Sequence, residues 1–274
     1  MTLRMNLHTH TWRCRHATGD VADYCRTARA EGLTVLGISD HTALPDNRWL
    51  NVRMSFDQLG DYCRAVDEAQ TAFPELVIFK GMECEYVPVF EKFYRDVLLG
   101  ELGFDYLIGG AHYYPWDGGW KGAYGGTADA ASLWAYTDYV VASMATGLFA
   151  FIAHPDLFGN AYLVWDEEAR ACSRAILEAA VDLGVPLEIN GYGMRKAEIE
   201  TPQGVRRMYP WRQFWEMAGA YEVQVVVSSD AHRPEDVGAN LEEGMALAAD
   251  CELEVVGQAW LEGALVRSAE PIIS

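Results

Sequence analysis

Short apolar runs, each ending in polar residues, alternate along this chain with segments whose apolar residues recur every three or four positions. The runs predict seven buried strands, at residues 3–7, 34–39, 76–82, 106–111, 149–153, 186–190 and 224–229. The intervening segments predict helices at residues 20–31, 55–66, 130–146, 168–183, 210–220 and 241–249. Strands that alternate with helices are typical of parallel βα units, and this number of units favours a closed or nearly closed α/β barrel.

The length and composition agree with one globular domain. At 274 residues the chain is in the range where an α/β barrel forms a single domain, so residues 1–274 are predicted to be one domain. Half of the residues are hydrophobic and 12% are aromatic, which excludes a disordered chain.

The chain is strongly acidic, with 40 acidic and 21 basic residues and a formal net charge of −19. Such a surface repels the phosphate backbone, so an extended nucleic acid is not an expected partner. Bound divalent ions would add positive charge inside one cleft, and a small anionic substrate could still bind there.

The six cysteines are scattered along the chain without a C-x-x-C pair, which predicts reduced core residues. Residues 1–12 lack the apolar run of a signal peptide, and no stretch approaches the length of a membrane span. The expectation is a soluble, cytoplasmic protein without a membrane partner.

All seven histidines lie at or just beyond the C-terminal ends of the predicted strands, where α/β barrels build their active sites. Residues i and i+2 of a strand project to the same side, so the pairs His8/His10 and Asp230/His232 can each face one metal cluster. A single histidine at a strand end is more often an ordinary hydrogen-bonded residue. Seven of them, interleaved with carboxylates, predict a polynuclear metal site.

Imidazole and carboxylate ligands together suit Zn, Mn or Fe. The predicted ligands are His8, His10, His16, His41, Glu83, His112, His154, Asp230 and His232.

The segments around these residues resemble the motifs of the PHP (polymerase and histidinol phosphatase) family over nearly the whole chain. They are His8-Thr-His10 with His16, Ser39-Asp40-His41, Gly81-Met-Glu83-Cys-Glu-Tyr86, Gly110-Ala-His112, Ala153-His154-Pro155-Asp156 and Ser229-Asp230-Ala231-His232. The histidinol-phosphatase branch is the most similar, because of Glu188-Ile-Asn190, Gly193-Met-Arg195-Lys196, Tyr209-Pro210 and Arg233-Pro-Glu-Asp-Val-Gly238.

The resemblance implies a distorted seven-stranded (β/α)7 TIM-like barrel of the PHP type, with two or three divalent metal ions. The implied first site is His8, His10, Glu83 and Asp230, the second is Glu83, His112 and His154, and the third is His16, His41 and His232.

Such a centre suits the hydrolysis of phosphate esters, because a water that bridges two ions loses its proton near neutral pH and can attack phosphorus. The resemblance implies a phosphomonoester hydrolase whose substrate is histidinol phosphate, an intermediate of histidine biosynthesis, or a related small phosphate ester. Arg195 resembles the family's phosphate-binding arginine and could clamp the phosphoryl group through two N–H donors. Asp40 could orient His41 or give a proton to the leaving alkoxide.

The segment at residues 115–126, rich in Gly, Trp and Tyr, predicts a long surface loop. Together with Tyr113 and Tyr114, it departs from the family pattern. Its aromatic side chains could cover the site and stack on a substrate ring, or pack against their own scaffold.

Three alternatives stay open. A PHP phosphodiesterase or nuclease acting on nucleotides could use the same metals, although the net charge favours small substrates. A zinc amidohydrolase-type deacylase also opens with H-x-H and closes with Asp, but it typically uses a bridging lysine, and none ends the third or fourth predicted strand. A catalytically silent PHP module is disfavoured by the complete ligand set.

Overall fold

The computed structural model describes residues 5–126, 128–260 and 263. The strands are β1 Met5–Asn6, β2 Val35–Ile38, β3 Val77–Glu85, β4 Tyr106–Gly110, β5 Tyr113–Trp116, β6 Gly119–Gly122, β7 Phe151–Ile152, β8 Leu187–Asn190, β9 Ile199–Thr201, β10 Gly204–Arg206, β11 Gln224–Ser228 and β12 Glu254–Val255. The α-helices are α1 Val21–Ala30, α2 Leu59–Ala72, α3 Ala130–Ala145, α4 Glu167–Leu183, α5 Gly191–Arg195, α6 Arg212–Ala218 and α7 Leu241–Asp250. A π-helical segment spans Phe93–Glu101.

Each of the seven predicted strands has a counterpart, namely β1, β2, β3, β4, β7, β8 and β11. Residues 3 and 4 of the first predicted strand lie outside the described part of the chain. A further short strand, β12, was not predicted and pairs in parallel with β11. The six predicted helices correspond to α1, α2, α3, α4, α6 and α7, each within a few residues of its predicted ends except α2, which continues to Ala72.

The chain forms two compact units. The first contains residues 5–108 and 228–242 together with the described residues from 257 onward. Its strand order is β1-β2-β3-β4, and β1 and β3 both pair in parallel with β2. Parallel pairing requires a crossover after each strand, and α1 and α2 provide two of these crossovers.

The side chain of Tyr106 packs between the first three strands of this unit. Its hydroxyl donates a 2.6 Å hydrogen bond to the carbonyl oxygen of Leu7. A Cβ atom at Gly37 would lie 2.0 Å from the Tyr106 hydroxyl oxygen, and one at Gly81 would lie 2.4 Å from its ring. Glycine is therefore required at both positions for the tyrosine to occupy this space.

The second unit contains residues 109–227 and 243–256 without residue 127. Its strands β7, β8, β11 and β12 follow one another in the sheet, and the β7–β8 and β11–β12 pairs are parallel. Helices α3 and α4 pack against each other. Asp166 caps the start of helix α4 and accepts a hydrogen bond from the backbone N–H of Ala169. The helix ends at Leu183, and the next residue, Gly184, has the left-handed conformation.

The prediction of a long loop at residues 115–126 was wrong for most of this segment, because β5 and β6 form an antiparallel hairpin. The two residues that connect the strands, Asp117 and Gly118, both have positive φ, at 47° and 71°. A two-residue turn of this kind matches the right-handed twist of the strands it joins, and Asp-Gly is one of its preferred sequences. A second short hairpin, β9–β10, was also not predicted.

No helix within the described ranges is long and apolar enough to cross a bilayer. All six cysteines are buried and free, as expected of reduced core residues.

Candidate metal centre

Within the first unit, backbone pairing continues beyond the ends of the strands into the residues that carry the predicted ligands. Thr9 forms a parallel bridge with Ala231, so the H-x-H and D-x-H pairs centred on these two residues lie side by side. A second parallel bridge joins His41 to Glu83. These two bridges pair four ligand-bearing segments at one edge of the sheet.

The side chains of His8, His10, Glu83 and Asp230 converge at this edge. His8 Nε2 lies 3.1 Å from His10 Nε2 and 3.3 Å from Glu83 Oε2. His10 Nε2 lies 3.0 Å from Asp230 Oδ1 and 3.6 Å from Glu83 Oε2. His8 Nε2 and Asp230 Oδ1 are 3.7 Å apart, and all four side chains are buried.

This donor set suits a divalent cation. Ligand atoms at tetrahedral angles, each about 2.0–2.1 Å from a zinc ion, are about 3.3 Å from one another. The measured separations of 3.0–3.7 Å bracket that value. Two imidazoles and two carboxylates also form a donor set that Zn, Mn and Fe accept.

The histidines of the implied third site are close to His10 as well as to one another. His16 Nε2 lies 3.0 Å from His232 Nε2. The ring centre of His10 lies 4.3 Å from that of His41 and 4.2 Å from that of His232. The donor atoms of His10, His41 and His232 can form one ligand group, so the structure places His10 between the implied first and third sites.

Cys14 is a candidate ligand that the sequence analysis treated as an ordinary core residue. Its sulfur belongs to one possible ligand group with His16 and His232 and to another with His10 and Asp40. Burial raises the pKa of this thiol. Its position in the loop between His10 and His16 was the available signal in the sequence.

Asp40 contacts His10 and the backbone of His41. Its Oδ1 lies 3.5 Å from His10 Nδ1 and accepts a hydrogen bond from the His41 backbone N–H. Its Oδ2 accepts two hydrogen bonds from Thr11, one from the hydroxyl and one from the backbone N–H. Asp40 is therefore placed to hold the His10 imidazole in one orientation.

The electrostatics of the cluster favour the metal-binding forms of His232 and Asp230. At His10, burial lowers the pKa, but the carboxylates of Asp230 and Asp40 raise it well above its usual range. Burial lowers the pKa of His232 well below its usual range, and the adjacent His10 lowers it further. Burial alone would raise the pKa of Asp230, but the neighbouring imidazoles, His8 foremost, hold it well below its usual range. A neutral imidazole and an ionised carboxylate are the forms that ligate divalent cations.

Two predicted ligands have backbones in the left-handed region, with φ of 31° at His154 and 50° at Asp230. This conformation is uncommon for residues other than glycine, and such strain is concentrated at functional sites. Each residue lies two positions beyond a strand end.

His112, His154 and Arg195 belong to the second unit. The two imidazole rings meet edge to face at 4.7 Å between ring centres. The Arg195 guanidinium lies 5.5 Å from the ring of Tyr192, just beyond β8. Because Glu83 belongs to the first unit, the implied second site of Glu83, His112 and His154 stays a prediction.

Comparisons of this chain with a family model and with a similar protein agree on one family. The PHP domain family matches residues 6–191. A protein of Deinococcus radiodurans named "Probable histidinol-phosphatase" is 32% identical, over 87% of this chain and 90% of the relative.

Two solved structures have the same fold. HisK from Listeria monocytogenes has a TM-score of 0.71 at 21% identity and covers 87% of this chain and 99% of its own. Histidinol phosphate phosphatase from Lactococcus lactis, solved with zinc, L-histidinol and phosphate, has a TM-score of 0.69 at 15% identity and covers 92% of this chain and 95% of its own. The family match and the sequence identity show, as the motifs predicted, that the chain belongs to the PHP domain family.

Proposed function

We propose that this protein is a metal-dependent phosphomonoester hydrolase that acts on histidinol phosphate or a related small phosphate ester. The observation that carries the proposal is the clustering of His8, His10, Glu83 and Asp230, in which the Nε2 atom of each histidine lies within 3.7 Å of an oxygen of both carboxylates. Divalent ions bound there would acidify water and neutralise the charge of a phosphoryl group, as this hydrolysis requires.

The names of the relatives support the substrate class. The Deinococcus protein is named as a histidinol-phosphatase, and the Lactococcus structure contains histidinol and phosphate. The net charge of −19 also favours a small substrate over a polynucleotide.

We propose two or three bound ions of Zn, Mn or Fe. The proposed ligands are His8, His10, His16, His41, Glu83, His112, His154, Asp230 and His232. The mixture of imidazole and carboxylate donors in the first unit supports this choice of metals.

Two further side chains, Arg195 and Asp40, have proposed roles in the reaction. Arg195, whose guanidinium can form two parallel hydrogen bonds, would clamp the phosphoryl group. Asp40 would hold His10 in position, which its contacts with His10 and Thr11 support. Donation of a proton to the leaving alkoxide by Asp40 is the alternative role.

The remaining sequence-based expectations belong to this proposal. The parallel strand pairs β1–β2, β2–β3 and β7–β8 and the helices that alternate with the strands support the distorted seven-stranded barrel. A family match from residue 6 to residue 191 supports a single PHP domain. Six free cysteines support a reducing compartment such as the cytoplasm.

The test is steady-state release of phosphate from L-histidinol phosphate by protein loaded with Zn, Mn or Fe. Other phosphomonoesters, nucleotides and a phosphodiester are assayed in parallel. We expect a much higher kcat/KM for histidinol phosphate than for the other esters, and loss of activity on chelation or in His154→Ala. Arg195→Lys should raise KM by about tenfold, since the lysine ammonium acts as a point charge and cannot form the two parallel hydrogen bonds of a guanidinium.

The other outcomes separate the alternatives. Preference for a nucleotide or the phosphodiester would indicate a PHP phosphodiesterase. Activity toward amides alone would indicate a deacylase. Metal binding without hydrolysis of any of these substrates would indicate a PHP module without catalytic activity.

A further inference from the structure

Three tyrosine rings of the second unit surround the ammonium group of Lys196. Its Nζ lies 4.4 Å from the ring centre of Tyr192, 4.8 Å from that of Tyr124 and 5.9 Å from that of Tyr209. Attraction between an ammonium group and aromatic rings restricts a side chain that is otherwise flexible. Lys196 directly follows α5 and is adjacent to Arg195.

Two of these tyrosine rings also contact predicted metal ligands. Tyr124 stacks on His112, with 5.9 Å between ring centres and 11° between ring planes. Tyr209 meets His154 edge to face at 5.8 Å. A 2.9 Å hydrogen bond joins the two tyrosine hydroxyls. Tyr124 and Tyr209 therefore each contact both Lys196 and one of the two imidazoles.

The hairpin β5–β6 explains how Tyr124 reaches this position. Tyr114 and Trp120 both pack edge to face against α3, on Tyr136 at 5.7 Å and Tyr139 at 5.9 Å. These contacts anchor the hairpin. Tyr124 lies two residues beyond β6 and is 43% exposed, so its ring holds Lys196 at the surface of the unit.

We infer that Lys196 is a substrate-binding residue that contacts the phosphoryl group, and that Tyr124 is a positioning residue that holds the Lys196 ammonium beside His112. The inference rests on the proposed phosphatase function. An ammonium group binds phosphate as a point charge, which complements the bidentate hydrogen bonding of the Arg195 guanidinium. In a chain of net charge −19, a fixed cation beside the metal ligands gives a local attraction for an anion.

Binding of inorganic phosphate to the metal-loaded protein, measured by calorimetry, tests the role of Lys196. We expect Lys196→Met to raise the Kd for phosphate about tenfold, the loss of one charge-assisted contact, with unchanged metal content. Lys196→Arg should retain part of the affinity. Lys121→Met is the matched control, since Lys121 also lies over an aromatic ring, 5.1 Å from Trp116, and should leave the Kd unchanged.

Two substitutions of Tyr124 separate positioning from folding. Tyr124→Phe keeps the ring but loses the hydroxyl contact with Tyr209, so it should retain most of the affinity for phosphate. Tyr124→Leu should weaken binding about threefold through loss of the cation–ring contact. In the ester assay, Tyr124→Leu should raise KM more than it lowers kcat. A purely structural role would lower the melting temperature and leave the Kd of both variants at the wild-type value, which contradicts the inference.

Failure of the inference is distinguishable from failure of the proposed function. If the metal-loaded wild type hydrolyses no phosphate ester, the proposed function is overturned. If it does hydrolyse esters, but Lys196→Met binds phosphate as tightly as Lys121→Met, only the role of Lys196 is overturned.

Discussion

Carboxylate and imidazole side chains that are buried together, as His8, His10, Glu83 and Asp230 are, lose their hydration. Hydrogen bonds among them replace only part of it, whereas one divalent cation satisfies several donors at once. Removing one donor should therefore change metal content more than it changes folding.

Asp230→Asn tests this at a single residue. The amide keeps the size of the side chain but removes the charge of the Oδ1 atom that lies 3.0 Å from His10 Nε2. We expect a lower ratio of metal to protein, measured by inductively coupled plasma mass spectrometry after dialysis, with a native circular dichroism spectrum. Glu68→Gln, which removes an exposed carboxylate of α2, is the control. An unchanged metal ratio in Asp230→Asn would contradict the assignment.

At the scale of secondary-structure elements, Arg13 connects the starts of α1 and α2. Its guanidinium is 3% exposed and pairs with Asp20, the N-cap of α1, and with Asp61, in the first turn of α2. Asp20 also forms a capping box with Asp23. One buried cation therefore joins two crossover helices to the segment between His10 and His16.

This connection predicts a pH dependence. The hydrogen bond from Arg13 lowers the pKa of Asp61 below its value in the unfolded chain, about 3.9. The contribution of Asp61 is therefore fully present above that pH and is lost as the pH falls through the folded pKa.

Because Asp61 is nearly half exposed, Asp61→Asn should lower the free energy of unfolding at pH 7 by at most about 1 kcal/mol. The difference from wild type, measured by urea unfolding across a pH series, should shrink below about pH 4. Glu68→Gln on the same helix is the control. A difference that stays constant over the whole pH range would exclude the pairing as its source.

The hairpin β5–β6 depends on its turn. Gly118 has φ of 71°, a conformation that a side chain destabilises by about 1–2 kcal/mol. We expect Gly118→Ala to speed amide hydrogen exchange in β5 and β6. The adjacent Gly119→Ala is the matched control, because a Cβ there would meet its nearest atom at 3.8 Å. Equal exchange in the two variants would refute the role of the turn.

At the scale of the whole molecule, the proposed metals should contribute to stability. A cation that binds only the folded state stabilises it by about 2.7 kcal/mol at a concentration one hundred times its Kd. Addition of a chelator should therefore lower the melting temperature measured by calorimetry, and added Zn or Mn should restore it. Chelator already saturated with zinc is the control. An unchanged melting temperature after verified removal of metal would show that the fold does not depend on it.

The main features of the fold and the family were predictable from local patterns in the sequence. The spacing of hydrophobic residues along the sequence distinguishes strands from helices without any knowledge of tertiary contacts. Seven strands and six helices were therefore predicted close to their observed positions. The clustering of His8, His10, Glu83 and Asp230 was also predictable, since parallel strands place their C-terminal ends at one edge. Their roles as metal ligands stay predictions.

Contacts between side chains from distant parts of the sequence became known from the three-dimensional fold. The contact of Asp40 with His10, the closeness of Cys14 to His232, and the contact of Tyr124 with Lys196 join residues from separate segments. No local pattern encodes such contacts, because they depend on how loops are directed after each strand ends. The β5–β6 hairpin is an intermediate case. Its Asp-Gly dipeptide is present in the sequence, but the pairing of the two flanking strands identified it as a hairpin turn.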